Sequence, residues 1–300
     1  MGCLIYLMVG MATTTFPGAG KRSRHNLLRA WSQSALTLLL ITLGILVSFP
    51  FVWMVRSSVM LEKEALVFPP IWIPSEFTLA SYIGALTIQP FARYILNSLF
   101  VSTTIMLGQV LTASMGAYAF ARLRFPGRDK LFLVYLATMM IPSQVTLIPS
   151  FVLVSWLGWI DTYFAFIVPG LFSAYLTFLM RQFLLNIPKE LEDAARIDGA
   201  GYIRTFATII LPLAQSALVT CGLLSFMGSW TSFLWPLIVT RSSDMRTVPI
   251  GLAALQQQQG YVNFPQLMAG SVMALLPIII LFLSLQRYYL QGIATTGLKG

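Results

Sequence analysis

Six stretches of the chain are free of Asp, Glu, Lys, Arg and His and long enough to cross a bilayer: residues 30–55, 94–121, 131–160, 162–180, 205–240 and 247–286. A hydrocarbon core about 30 Å thick takes about 20 residues of helix at about 1.5 Å rise per residue. The pattern therefore predicts an all-α membrane protein with six transmembrane helices. Residues 77–92 carry Thr78, Ser81, Thr87, Gln89 and Pro90, and read as an external loop or a helix lying along the surface. The 131–160 run is interrupted by Pro142 and Pro149. As one straight helix it would reach about 45 Å, so it holds either one broken crossing or two.

Charge decides between those two, because short cytoplasmic loops collect Lys and Arg. With six spans and the amino terminus inside, 14 of the 19 Lys and Arg fall on the inner side, among them Arg122, Arg124, Arg181, Arg196 and Arg204. Counting 131–160 as two crossings leaves ten inside and nine outside, so six spans with both termini cytoplasmic is the expected topology. The domain plan is a cytoplasmic tail over 1–30, a six-span domain over 31–290 containing a loop at 183–212, and a cytoplasmic tail over 291–300. The acidic residues split evenly between the two sides, so the net charge of +9 comes from topology and nucleic acid is not an expected partner.

Composition narrows the chemistry. The chain is 57% hydrophobic and 10% charged, against about a quarter charged in soluble domains. Cys3 and Cys221 are the only cysteines and His25 the only histidine, which excludes a disulfide scaffold, a Ser/His/Asp triad and an imidazole metal site. No ionisable residue lies deep in any span, whereas ion-coupled carriers place relays there. The nearest approach to a phosphate loop, Gly18-Ala-Gly-Lys21, is followed by Arg22 where a hydroxyl is required. No catalytic, cofactor or metal residues are expected, and if ATP drives the protein a separate subunit binds it. The apolar start is too short to span and has no preceding basic residue, so it is a poor signal peptide, and Met11 is an alternative start.

The densest charge cluster runs from Arg181 to Arg204. Pro188 suits the opening of a helix, and Glu190, Glu192 and Asp193 then fall where a helix amino terminus favours negative charge. Leu191, Ala194, Ala195 and Ile197 follow, and Gly199 permits the backbone that ends the helix. A second stretch from Tyr202 carries Phe206 and Ile209 before Pro212. The expectation is a short helix, a turn and another helix, with a small Ala surface beside a carboxylate suited to docking another protein.

The run Asp193-Ala194-Ala195, three residues, Gly199, nine residues, Ile209, one residue, Leu211-Pro212 resembles the loop motif of ATP-binding-cassette importer permeases, E-A-A-x(3)-G-x(9)-I-x-L-P. Asp193 stands where Glu is usual. The surrounding Ile187 to Ala200 is similar to the carbohydrate-uptake, maltose-type branch. So is Trp230-Thr-Ser-Phe-Leu-Trp-Pro236, with Thr231 in place of Asn, and so are Pro50 to Val55, Gln286 to Gly292 and Gly297 to Gly300. The resemblance covers the chain from about Pro50 onward. It implies the type I importer permease fold and a bacterial or archaeal inner membrane. It also implies a second related permease subunit, two copies of a cytoplasmic ATPase that uses ATP and Mg, and an extracytoplasmic solute-binding protein. Glu190, Asp193, Ala194, Ala195, Asp198, Gly199, Ile209, Leu211 and Pro212 would couple to the ATPase. The implied cargo is a sugar or sugar-like solute, with glycerol-3-phosphate, its diesters or polyols as the alternative.

Candidates for the translocation path are Asn97, Ser143, Gln144, Ser229, Trp230, Ser232 and Trp235. The polar ones serve equally as interhelical hydrogen-bonding groups, and the tryptophans as packing or interfacial aromatics. The run Gln256 to Gln259 reads as a polar cap on an external loop or as a contact for a substrate-delivery protein.

Overall fold

The computed structural model describes residues 24–256 and 263–297, with side chains over 32–256 and 263–286. Gln257 to Gln259, most of the amino-terminal tail and the last residues of the carboxy-terminal motif lie outside the described residues. Among the described residues every regular element is helical. Besides single turns at Glu62–Ala65, Thr138–Met140 and Ser243–Met245, they are α1 (Arg24–Ser58), α2 (Ala80–Ile88), α3 (Phe91–Arg122), α4 (Arg128–Ala137), α5 (Ser143–Trp156), α6 (Tyr163–Gly170), α7 (Ala174–Leu185), α8 (Glu190–Ile197), α9 (Tyr202–Leu213), α10 (Gln215–Trp230), α11 (Leu234–Val239), α12 (Val248–Gln256) and α13 (Phe264–Gly297).

Four segments are long and apolar enough to cross a membrane without a sharp bend: Ser32–Ser58, Phe91–Arg122, Tyr163–Leu185, which joins α6 and α7, and Phe264–Gln286. Two further pairs are sharply bent, α4 with α5 by 95° and α9 with α10 by 80°, and counting each pair as one span gives six. The first bend falls at Pro142, whose extended ψ of 132° turns the chain out of helix. Pro149 was expected to interrupt the run as well, but it sits inside α5. The 247–286 run holds one crossing, Phe264–Gln286, and the separate short α12.

The chain divides into two compact units. One comprises residues up to 82 together with 264–272. There Arg56 stacks its guanidinium 4.4 Å above Trp53 and donates to Ile71 O, Trp53 meets Trp72 edge-on, and the Ser58 and Tyr82 hydroxyls lie 2.8 Å apart. Hydrogen bonds from the Ser75 hydroxyl and amide hold the Glu64 carboxyl below the usual range, outweighing the opposing effect of burial.

The other unit comprises 83–263 and 273–300. Its axis is α3, which packs mainly against α7 and α10. Ala113, Ala117 and Ala121 recur at a spacing of four, presenting a small-residue stripe that lets Leu176, Met180, Leu184 and Ile210 close in. Nearer the amino-terminal end of α3, Val101 and Ile105 pack with Val154, Ala165, Phe166 and Val239. Gly251 lets α12 approach, because a β-carbon there would run into the Tyr94 ring.

Candidate functional site

Two places concentrate the polar chemistry. The first is the helix–turn–helix made by α8 and α9. Glu190, Glu192 and Asp193 occupy the first turn of α8, where the helix dipole favours them. Gly199 ends it at φ 78°, and its amide reaches Arg196 O while that of Ala200 reaches Ala195 O, closing the last carbonyls. α9 then passes through a π-helical turn at Phe206–Ile210 just before Pro212, and the chain bends at Ala214. A proline that cannot donate to the preceding turn accounts for the loosened hydrogen bonding there.

Burial splits the expected docking set. Glu190, Asp193, Ala194, Asp198, Gly199 and Pro212 are exposed, Ile209 and Leu211 are half-buried, and Ala195 turns inward at 6% exposure. Of the small Ala surface expected there, Ala194 is exposed while Ala195 is buried, one turn on from the buried Glu192. Asp193 lies 3.6 Å from Arg196 within its own helix. Leu191, Ile197, Tyr202 and Ile203 stand exposed beside these charges, with Ile197 at 87% and Ile203 at 85%. An apolar patch rimmed by charge is the anatomy of an interaction surface.

The second place is an open cavity of about 730 Å³ bounded by α3, α5, α6, the start of α7, α10 and α11. Ser143, Gln144, Ser229, Ser232 and Trp235 line it, five of the seven path candidates. Ser98, Ser102, Gln109, Thr146, Ser150 and Thr247 add hydroxyl and carboxamide groups, and none of the lining residues is charged. Trp235 keeps its indole N–H on Ala165 O at 2.9 Å and leaves its ring at the wall.

Asn97 and Trp230 are not brought to the cavity. Asn97 is buried, donates to Asp244 O at 2.7 Å and Arg246 O at 2.9 Å, and accepts from the Tyr163 hydroxyl at 2.7 Å. Trp230 is 3% exposed, stacks on Phe226 and donates to Ala274 O. Each has its polar groups satisfied inside the protein. Asn97 belongs to a clasp that fixes the 240–246 segment, in which Asp161, at φ 61°, accepts from the amides of Arg241 and Ser242 at 3.0 and 3.1 Å. Burial acts to raise the Asp161 carboxyl, but these N–H donors and the Arg241 charge outweigh it and hold the carboxyl below its ordinary range.

Comparison with known sequences places this geometry. The profile of the family described as "Binding-protein-dependent transport system inner membrane component" matches residues 109–295, which span the helix–turn–helix and most of the cavity wall. The chain belongs to that family. As a permease it is 42% identical over 231 residues to the arabinooligosaccharides transport system permease protein AraQ of Halalkalibacterium halodurans, covering 77% of this chain and 82% of that one. It is 33% identical over 268 residues to the sn-glycerol-3-phosphate transport system permease protein UgpE of Brucella abortus, covering 86% and 95%. In fold it is similar to the crystal structure of a bacterial ABC transporter involved in the import of the acidic polysaccharide alginate. The TM-score there is 0.76 and the identity 22%, with 90% of this chain and all of that one covered.

Two features of the permease escaped the sequence reading. Arg122 pairs with Glu192 at 2.9 Å, both side chains buried, and donates to Leu184 O and Ile187 O. Its signal was an arginine at the last position of an apolar helix, read only as a topology marker. Ser98, Ser102 and Gln109 also reach the cavity from α3. Their near-helical spacing within an apolar helix marked a common polar face.

Proposed function

We propose that the permease is one of two membrane subunits of an ATP-driven, binding-protein-dependent importer whose cargo is a neutral sugar or oligosaccharide. It forms half of the translocation path and engages a separate cytoplasmic ATPase, which carries ATP and Mg, through α8 and α9. The second permease subunit and the binding protein complete the machine in a bacterial or archaeal inner membrane, with both termini of this chain cytoplasmic. In favour of that topology, residues assigned by charge bias to one side meet one another. Arg122 meets Glu192, and Asp161 meets the Arg241 amide.

The observation that carries the cargo is the uncharged cavity, rich in hydroxyl and carboxamide groups and bearing an aromatic wall at Trp235. Sugar hydroxyls need paired donors and acceptors and an apolar ring face, whereas a phosphate dianion needs cationic or dense N–H partners. In this half of the path the lining favours the neutral solute over glycerol-3-phosphate, the cargo named for some relatives. The test is uptake into sealed vesicles carrying the complete importer with internal ATP, comparing a labelled neutral arabinose trisaccharide with labelled sn-glycerol-3-phosphate. Sugar uptake dependent on ATP and the binding protein is expected; uptake of the phosphate ester with no sugar uptake would overturn the reading.

A further inference from the structure

The carboxy-terminal end of α3 grips both arms of the helix–turn–helix. Arg122 Nε lies 2.9 Å from Glu192 Oε1, with 2% and 5% of the two side chains exposed, so the link to α8 is a dry ion pair. One turn earlier Tyr118 packs on Phe206 of α9 with ring centroids 5.1 Å apart. Arg122 also donates to Leu184 O and Ile187 O, backbone acceptors at the end of α7. The guanidinium thus places positive charge at the carboxy termini of α3 and α7, and its partner places negative charge in the first turn of α8, each favoured by the helix dipoles. The rigid guanidinium sets one terminal nitrogen on both carbonyls and Nε toward Glu192, a fixed planar geometry that a lysine ammonium on its flexible stem does not reproduce. From this junction α3 runs without a break to Ser102 and Ser98 on the cavity wall, about 30 to 36 Å away at about 1.5 Å per residue.

Stability is a weak reason for such a pair, since desolvating two charges offsets most of their attraction and apolar replacements often serve as well. The geometry points instead to Arg122 and Glu192 as the linkage that passes displacement of α8 into α3 and so into the cavity wall. They are positioning residues and form no part of the docking surface, which is the opposite, exposed face of α8 bearing Asp193 and Ile197. This rests on the reading of α8 and α9 as the ATPase-docking element.

The test uses the complete importer in proteoliposomes, with Cys3→Ser as background and Gly228→Cys as reporter. Gly228 lines the cavity and has open space for a β-carbon, while Cys221 is buried. The rate at which a charged maleimide labels the reporter is read with and without ATP, Mg and vanadate, beside ATPase co-purification and the KM for ATP. In the double variant Arg122→Met/Glu192→Met the ATPase remains bound with unchanged KM. The nucleotide-driven change in labelling shrinks by roughly 2- to 30-fold, the range over which residues in a coupled network alter communication between sites. Arg122→Lys, which keeps the charge and loses the planar geometry, falls between. A double variant with the full nucleotide-driven change overturns the linkage. Loss of ATPase association in both variants overturns it too, since the pair would then be a folding element. If the ATPase fails to co-purify with the unsubstituted permease, the docking reading falls first and the linkage with it.

Discussion

The two ends of α3 solve opposite problems with different chemistry. At its amino-terminal end, Asn97 and, nearby, Asp161 close a clasp in which side chains satisfy two carbonyls and two amides of the 240–246 segment. At its carboxy-terminal end, Arg122 and Tyr118 hold a helix–turn–helix whose other face stays open, with Asp193, Ile197 and Ile203 exposed. The clasp is closed on itself, whereas the helix–turn–helix is complete only on its inner face. An end that moves with a partner needs a rigid handle on one side and an adhesive surface on the other. An end that has only to hold its loop in place needs neither. Substitutions at the clasp should therefore act through stability, and those on the exposed helix–turn–helix through association.

The largest effect is expected at Asn97. Asn97→Ala leaves two backbone carbonyls and the Tyr163 hydroxyl without their partner; fully buried, the three would cost about 3–9 kcal/mol together, and because they are only part-buried a loss of about 2–5 kcal/mol is expected. Thermal unfolding in detergent measures it, and a loss below about 0.5 kcal/mol, the level of a neutral surface change, would mean that the clasp does not hold the segment. Next comes Gly199, where φ is 78° and a β-carbon meets nothing within 4 Å. Gly199→Leu therefore carries only backbone strain, about 1–2 kcal/mol, and misdirects α9. ATPase co-purification should fall while α3, α7 and α10 stay assembled. Gly201 is the control: it too has open space but sits at φ −74°, so Gly201→Ala should be silent. Equal effects at the two glycines would show that conformation is not what Gly199 supplies.

The same contrast explains what could be read from the sequence. The helix–turn–helix was legible because its determinants lie within one short segment, where the acidic first turn, the glycine and the proline follow local rules. The clasp was not, because Asn97 reaches carbonyls 147 and 149 positions away and no local pattern encodes that pairing. A buried asparagine on a spanning helix reads the same whether it faces a solute or a backbone. Five path candidates fell together at the cavity because Ser143 and Gln144 open α5 after Pro142, and Ser229, Ser232 and Trp235 lie around the break between α10 and α11. Trp230, the last residue of α10, instead turned inward to stack on Phe226. The six runs were legible from length and the break at Pro142 from the proline, but the 80° turn at Ala214 was not, since it carries no polar signal.

The smallest effect on the fold, and the sharpest on the comparison, is expected at Asp193. Its carboxylate is exposed, and its contact within the chain is the loose 3.6 Å approach to Arg196, an exposed i, i+3 pair worth about 0.3–0.5 kcal/mol. Asp193→Ala should leave thermal unfolding within about 0.5 kcal/mol of the unsubstituted permease. If the exposed face of α8 docks the ATPase, the same substitution weakens ATPase co-purification by about two- to fivefold, matching an ion pair of less than about 1 kcal/mol at a wet rim. Transport falls with it while membrane insertion persists. Asp193→Glu keeps the charge and lengthens the side chain by one methylene, so it should be nearly silent in both assays. The comparison breaks if Asp193→Ala destabilises the fold as Asn97→Ala does, because Asp193 would then be an internal strut like the clasp. It breaks the other way if association and transport are both untouched, in which case docking rests on Ile197, Tyr202 and Ile203, and the carboxylate serves only the first turn of its own helix.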